Sequence, residues 1–326
     1  MAMKFCQCKE NRVDSKSYKV SVPGSLMLFG EHAVLRGKQA VVTAINHYIY
    51  VELVPRSDRN IRIVSSGFGE HQVTLDEFII TKPYDYVLTA IKQYLNKINC
   101  GFLLRIKSDF PADIGFGSSA AVTVATLGVL AVWLQGKAPD LMKLYKQAAS
   151  VVRLVHGVGS GADVAASVFG GVIAYKMKPL RIQGLDADLP LVAVYSGWKT
   201  PTFEVIAVVE KKRMQFPTIF ADLYIAIERC AKAAIAAIKK NDLARLGTLM
   251  NIHQGLQDAL GVNNATLAEL VFALRVMPNI FGAKISGAGM GDCVIGLGNQ
   301  SNTEQKLKGK QIVVAISDAG FTYETD

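Results

Sequence analysis

The stretch from Pro111 to Leu134 constrains this chain more than any other. It reads Pro-Ala-Asp-Ile-Gly-Phe-Gly-Ser-Ser-Ala-Ala-Val as far as Val122, then continues to Leu134 without a charge or a proline. A segment that is apolar on nearly every side predicts a helix buried at the centre of a domain. The residues that lead into it carry a second implication. Gly115 and Gly117 let the backbone come close to a ligand, and Ser118 or Ser119 can cap the helix. The free N–H groups of the first turn, together with the helix dipole, then make a site for an anion. On these residues alone, Gly115 to Ala120 reads either as a phosphate cradle or as an ordinary capped core helix after a turn.

The whole chain has 326 residues, enough to bury a large core and to make about two domains. Half of it is hydrophobic and 19% is charged, which excludes a disordered chain. The run from Ala120 to Leu134 is shorter than the roughly 20 residues needed to cross a bilayer, so no membrane is expected. The N-terminal residues MAMKFCQCKENRVDSK contain no apolar signal core. A soluble, cytoplasmic protein is the expectation.

The net charge is +9, but the basic residues are scattered, with only short clusters such as Lys211-Lys212-Arg213 and Lys239-Lys240. No basic stripe is interleaved with aromatics, so nucleic acid is not an expected partner. The surplus suits anionic small molecules. The five cysteines (Cys6, Cys8, Cys100, Cys230 and Cys293) are odd in number and irregular in spacing. They match neither a zinc site nor a disulfide framework, and reduced thiols are expected.

Along the chain, strands come first. Tyr18 to Val22 and Leu26 to Phe29 read as strands around a Pro23-Gly24 turn. Val41 to Val54, Ile61 to Val64, Gln72 to Leu75 and Gly101 to Ile106 follow as further strands. Pro83 to Asn99 has helical spacing. A helix from Pro139 to about Val155, with Pro139 at its first position, leads into a second glycine-rich loop, His156-Gly-Val-Gly-Ser-Gly-Ala-Asp163. A short helix of small residues ends at Gly170-Gly171, before a strand from Val172 to Tyr175. Beyond a strand at Leu191 to Tyr195, the chain is mostly helical from Thr202 to Met277. Two strands, Ala283 to Ile285 and Cys293 to Ile295, then flank Ser286-Gly-Ala-Gly-Met-Gly-Asp292. A helix near Asn302 to Leu307 and a strand from Ile312 to Ile316 close the chain. The order of elements is that of an α+β protein.

Taken singly, the glycine-rich loops are weak signals. None has the P-loop pattern, and none sits in a repeating βαβ series. As an ordered set they resemble the GHMP small-molecule kinases. The three stretches are Pro23-Gly-Ser-Leu-Met-Leu-Phe-Gly-Glu-His-Ala-Val-Leu-Arg-Gly37, Ile114-Gly-Phe-Gly-Ser-Ser-Ala-Ala121 and Lys284-Ile-Ser-Gly-Ala-Gly-Met-Gly-Asp-Cys-Val294. Within that group, Gly30-Glu-His-Ala-Val34 with Gly37, and the second loop ending in Asp163, are most similar to the mevalonate kinase branch.

The resemblance implies a two-domain GHMP kinase fold. A polar tail, residues 1–17, precedes an ATP-binding domain like ribosomal protein S5 domain 2 at 18–180. A ferredoxin-like α+β domain follows at 181–326, and the active site lies in the cleft between them. It also implies transfer of a phosphoryl group from ATP, with Mg2+, to the primary hydroxyl of mevalonate, and a possible homodimer. Gly115, Phe116, Gly117, Ser118, Ser119 and Ala120 would hold the nucleotide phosphates, with Ser119 also on the metal. Asp163 would accept or orient the substrate hydroxyl proton. Glu31, His32, Gly287 and Ala288 would border the acceptor. Without the resemblance, Asp163 would read as a helix N-cap, His32 as a structural histidine and the third loop as a tight turn.

The sequence departs from that family at four places. Ser25 stands where a lysine that neutralises phosphate charge is usual, so Ser25 enters the catalytic set with Asp163 but brings no charge. Lys199 and Arg153 are candidate replacements. Val152 stands where mevalonate kinases carry a metal-binding glutamate, and Met290 and Asp292 stand where glycines are usual. Phosphomevalonate kinase is the alternative reading, for which Val158 to Ala166 and Gly197 to Thr202 speak. A catalytically weak ligand-binding member is another.

Overall fold

The structure is a computed structural model and describes residues 16–299 and 309–325. The expected helix near Asn302 to Leu307, and Cys6 and Cys8, lie outside the described residues.

The first layer is an eight-stranded sheet. Strands β1 (Tyr18–Phe29) and β2 (Gln39–Pro55) form its long antiparallel spine. Strands β3 (Asn60–Ser65), β4 (Gly69–Thr74) and β5 (Phe102–Ser108) extend it past the C-terminal half of β2, with β3 and β5 parallel. The N-terminal half of β2 pairs instead with β6 (Val172–Lys176), which pairs with β7 (Arg181–Leu185). One helix of the sequence reading comes out shorter. Helix α1 is Asp85–Lys92, and the rest of the Pro83 to Asn99 segment is a 3-10 turn at Leu95–Lys97.

Helix α2 (Ser118–Gln135) lies across this sheet as expected, with every residue from Thr123 to Trp133 buried. It is long and apolar enough to cross a membrane, but 78% of it is buried inside the protein. Gly128, mid-helix, costs about 1 kcal/mol against alanine; a Cβ there would meet Phe321 Cε2 at 2.1 Å, so the glycine admits that ring. Helix α3 (Leu141–His156) is capped by Asp140, whose side chain accepts from the Lys143 N–H at 2.7 Å. Pro139 therefore precedes the cap rather than opening the helix. Helix α4 (Ala162–Phe169) begins after Gly161.

The second layer is a four-stranded antiparallel sheet, built from β8 (Leu191–Tyr195), β9 (Ile280–Ser286), β10 (Cys293–Gly298) and β11 (Lys310–Val314). Helices α7 (Leu243–Leu260) and α8 (Ala265–Arg275) pack on it, while α6 (Pro217–Lys239) packs on α7 and on β1 and β2 of the first sheet, and α5 (Thr202–Gln215) on α6. Gly247 of α7 lies against Gly282 of β9, where a Cβ would meet a backbone oxygen at 2.1 Å. This backbone-to-backbone approach lets α7 lay polar side chains along β9. The last strand, β12 (Thr322–Thr325), returns to pair with β1 in the first sheet.

One local expectation fails in an informative way. Pro23-Gly24 is no turn: β1 runs straight through it, with a shift of register between the two residues. The irregularity presents the backbone sideways, and the Ser25 N–H donates to the carbonyl of Phe116 at 3.0 Å. Gly24 has no room for a side chain, because a Cβ would stand 2.7 Å from that carbonyl. The irregularity couples the first loop to the second.

Candidate active site

The loop before α2 is a cradle without a side-chain cap. Gly117 is the N-cap residue, at φ +65°, and among the described residues no side-chain cap hydrogen bond is made there. The serines proposed as caps do other things. Ser118 Oγ donates to the carbonyl of Ala112 at 2.8 Å, and Ser119 sits half-exposed in the first turn. Uncapped N–H groups on a buried helix leave its positive end open to an anion. Phe116 points away from this opening. It is buried against Phe110 and His47, so only its backbone faces the loop.

Gly117 also makes room for the next residue of the site, because a Cβ on it would stand 2.2 Å from Ser25 Oγ. That hydroxyl donates to Asp163 Oδ1 at 2.9 Å. Asp163 lies in the first turn of α4, whose cap is Gly161, so it is not the N-cap. The loop before it is clamped by two tyrosines. Tyr175 OH donates to the carbonyl of Ser160, and Tyr145 OH lies 2.8 Å from Tyr175 OH. Burial pushes the Asp163 carboxyl above the ordinary carboxylate range, while the Ser25 hydrogen bond and the charge of Lys199 pull it back.

Lys199 is the cation that reaches this place. Its Nζ donates to the carbonyl of Ala112 at 3.2 Å, and it lines the same cleft as Asp163. Arg153 does not line that cleft; it borders a neighbouring groove.

The third loop closes the site. His32, held at φ +60°, donates from Nε2 to the carbonyl of Ala288 at 2.8 Å, and its burial lowers its pKa. Ser286 Oγ donates to the carbonyl of Met27 at 2.9 Å. Met290 and Asp292 both adopt positive φ, at +59° and +65°. Their backbones are tied to the Lys199 segment: Asp292 N donates to the Trp198 carbonyl at 3.0 Å, and Trp198 Nε1 and Thr200 Oγ1 donate to the Met290 carbonyl. Asp292 packs on the phosphate loop, since a Cβ at Gly115 would stand 2.8 Å from its Cβ. Burial pushes the Asp292 carboxyl up to about 6.

Behind Glu31 is a buried polar cluster that local sequence reading missed. Lys284, fully buried on β9, donates to Glu31 Oε1 and to the carbonyl of Ile285. Burial pushes Glu31 up and Lys284 down, and each partner pulls the other back. His253 of α7 lies 3.5 Å from Glu31 Oε2, but this is not an ion pair. Its Nε2 accepts from the Gly30 N–H at 3.0 Å, and burial holds its pKa well below the ordinary value, so it is neutral. Gln254 and Gln257 accept from and donate to the Ile285 backbone. These partners come from residues more than 200 positions apart in sequence, and no local pattern announces them.

Two cavities meet at the start of α2. The first, of about 480 Å³, is lined by Glu31, His32, Gly115, Gly117, Ala120, Asp163, Lys199, Gly287, Ala288 and Asp292 among others. Val152 is on its wall, so the missing glutamate is missing from the cleft itself. The second, of about 710 Å³, is walled by Phe68, Tyr84, Tyr86 and Phe110. Ser118 and Ser119 line both.

Residues 85–171 match the GHMP kinases N terminal domain, and residues 234–310 the GHMP kinases C terminal domain. The mevalonate kinase of Pyrococcus furiosus is 35% identical over 93% of this chain and 93% of its own length. This chain belongs to the GHMP kinase family. A second relative, the mevalonate kinase of Thermococcus gammatolerans, is 34% identical over 93% of both chains. Among solved structures, L. major mevalonate kinase in complex with R-mevalonate superposes with a TM-score of 0.76 at 27% identity, covering 89% of this chain and 90% of that one. The fold is the two-domain GHMP kinase fold, and the chain is a small-molecule kinase by descent.

Proposed function

We propose that this GHMP kinase transfers the γ-phosphoryl group of ATP to the primary hydroxyl of mevalonate. The observation that carries the reading is the junction of the two cavities at Ser118 and Ser119. An aromatic-walled cavity suits a nucleoside, a cleft with a buried carboxylate suits an alcohol, and the uncapped helix N-terminus between them suits the phosphates that pass from one to the other.

Phosphoryl transfer asks a protein mainly for positioning and for opposing charge. In this reading the backbone of Gly115 to Ser119 takes the phosphates. Asp163 faces the acceptor hydroxyl and takes its proton as the oxygen bonds to the γ-phosphorus and the bond from that phosphorus to the departing ADP oxygen breaks. A carboxyl pushed above its ordinary range is a better base near neutrality than a free one. Ser25 holds that carboxylate in place, and Lys199 supplies the positive charge that Ser25 cannot. Glu31, His32, Gly287 and Ala288 border the acceptor. Among the described residues that line the cleft, Lys199 is the one lysine or arginine. That favours an acceptor with a single carboxylate over one already carrying a phosphate.

Mg2+ fits the donors present. Among the described residues no group of three or more histidine, cysteine or acidic side chains stands ready to hold a metal ion. Magnesium is commonly held by one or two protein oxygens together with substrate phosphates and water. The cleft offers the Ser119 hydroxyl and buried carboxylate oxygen, including Asp292 Oδ1, which has no hydrogen-bond partner among the described residues. Bound there, the ion would neutralise charge on the phosphate oxygens.

The test is ATP consumption with mevalonate, phosphomevalonate, galactose and homoserine as acceptors, with and without Mg2+. Turnover on mevalonate is expected. Turnover on phosphomevalonate alone overturns the assignment of acceptor, and nucleotide binding without turnover on any acceptor overturns the assignment of activity.

A further inference from the structure

Asp292 is an unusual residue to find on a phosphate loop. It is 4% exposed, and among the described residues its Oδ1 has no hydrogen-bond partner. Its backbone sits at φ +65°, a region that side-chain-bearing residues rarely occupy. The backbone is fixed on both sides, with its N–H on the Trp198 carbonyl and its carbonyl accepting from Ser196 N–H. The side chain is thereby directed between Gly115 of the phosphate loop and Gly287 of the third loop, where a Cβ would meet Asp292 Oδ2 at 3.7 Å. A glycine at this position would have neither the strain nor the orphaned oxygen.

A carboxylate against the loop that receives a triphosphate repels it, unless a cation lies between them. The same cleft, which Val152 also lines, lacks a carboxylate at that position. We propose that Asp292 is a direct ligand of the divalent cation that accompanies the nucleotide, with Oδ1 as the donor atom, and that it supplies from the third loop the charge that position 152 does not. This inference rests on the phosphate-site reading given above. Asp292 then has an energetic reason to occupy a strained, buried position: beyond the charge of Lys199 nearby, its Oδ1 gains a partner when nucleotide and metal are bound. It also makes the third loop sense the nucleotide's charge, because Asp292 is tied through Trp198 to the segment carrying Lys199.

The test uses the full chain, Mn2+ and the non-hydrolysable nucleotide AMP-PNP, read by electron paramagnetic resonance and by calorimetry. Asp292→Asn keeps shape and can donate a hydrogen bond but is a poor metal ligand. It is expected to weaken Mn2+ affinity in the nucleotide complex by at least about tenfold, and to tighten metal-free nucleotide binding by removing the repulsion. Asp292→Gly relieves the backbone strain, so it is expected to fold, and to lose Mn2+ affinity equally. If Asp292→Asn binds Mn2+ as tightly as the unmodified protein, Asp292 is a packing residue or a protonated hydrogen-bond donor and the proposal is wrong. If the unmodified protein binds no AMP-PNP with or without Mn2+, the phosphate-site reading itself fails and the proposal falls with it.

Discussion

Lys284→Met tests how the two domains share one site. Lys284 is fully buried, and its amine meets Glu31 from the opposite domain. Methionine fills most of the volume but leaves the Glu31 carboxylate without its cation. Glu31 Oε2 already lacks a hydrogen-bond partner, and neutral His253 offers no charge. Removing one partner of a buried pair costs about 3–5 kcal/mol, and at about 2 °C per kcal/mol in a chain this large the melting temperature is expected to fall by about 6–10 °C. The sign of the pH dependence follows from Glu31. Burial raises its pKa, and Lys284 is what lowers it. Without the lysine, the folded-state pKa rises further above the ordinary value of 4.5, so the penalty grows as pH climbs past that value. The loss measured by thermal unfolding is therefore expected to be largest at neutral pH and to shrink near pH 5. Adding Glu31→Gln to Lys284→Met is expected to recover much of it, because no buried charge then remains unpaired. A loss below about 2 °C, or one of equal size at both pH values, refutes the argument.

Two further outcomes follow from the cleft. Gly117→Ala places a Cβ 2.2 Å from Ser25 Oγ at φ +65°, so nucleotide affinity is expected to drop at least about tenfold while the fold survives, as measured by calorimetry and circular dichroism. The acid limb of kcat/KM is expected above the ordinary aspartate value of 3.8, because burial raises Asp163 and only its ionised form accepts a proton. Ser25→Ala removes a hydrogen bond that favours the ionised form, and should move that limb further up; a limb that stays put or moves down contradicts the role given to Ser25.

The parts of this site that the sequence made legible are those whose requirement is local. Gly115-Phe-Gly117 before an uncharged run declares both a close backbone approach and a buried helix, and both are present. Asp163 stood out only through the resemblance of its glycine loop to the family's; read alone it is a helix N-cap, a place that Gly161 takes. What was not legible depends on distant partners. Pro23-Gly24 reads as a turn in isolation, and only the pairing of β1 with β2 on one side and Phe116 on the other makes it a break in register within a strand. Lys284, Glu31 and His253 are unremarkable in their own segments and become a buried cluster only when β9 and α7 meet the end of β1. Strands β7 and β12 are too short and too exposed to carry a pattern, and are fixed by the neighbours they pair with. The replacement of a lysine at position 25 by one at position 199 could be posed from sequence, and the cleft lining favours Lys199 over Arg153.

The central claim is that nucleotide bound at the start of α2 gives its phosphoryl group to an alcohol held at Asp163. Asp163→Asn separates the two halves of that claim in one experiment, with AMP-PNP affinity and mevalonate-dependent ATP turnover measured on the same preparation. The account predicts near-normal nucleotide affinity, with turnover lowered by about 10²–10⁴-fold, the range of a positioned acid–base group. Near-normal turnover by Asp163→Asn would contradict it.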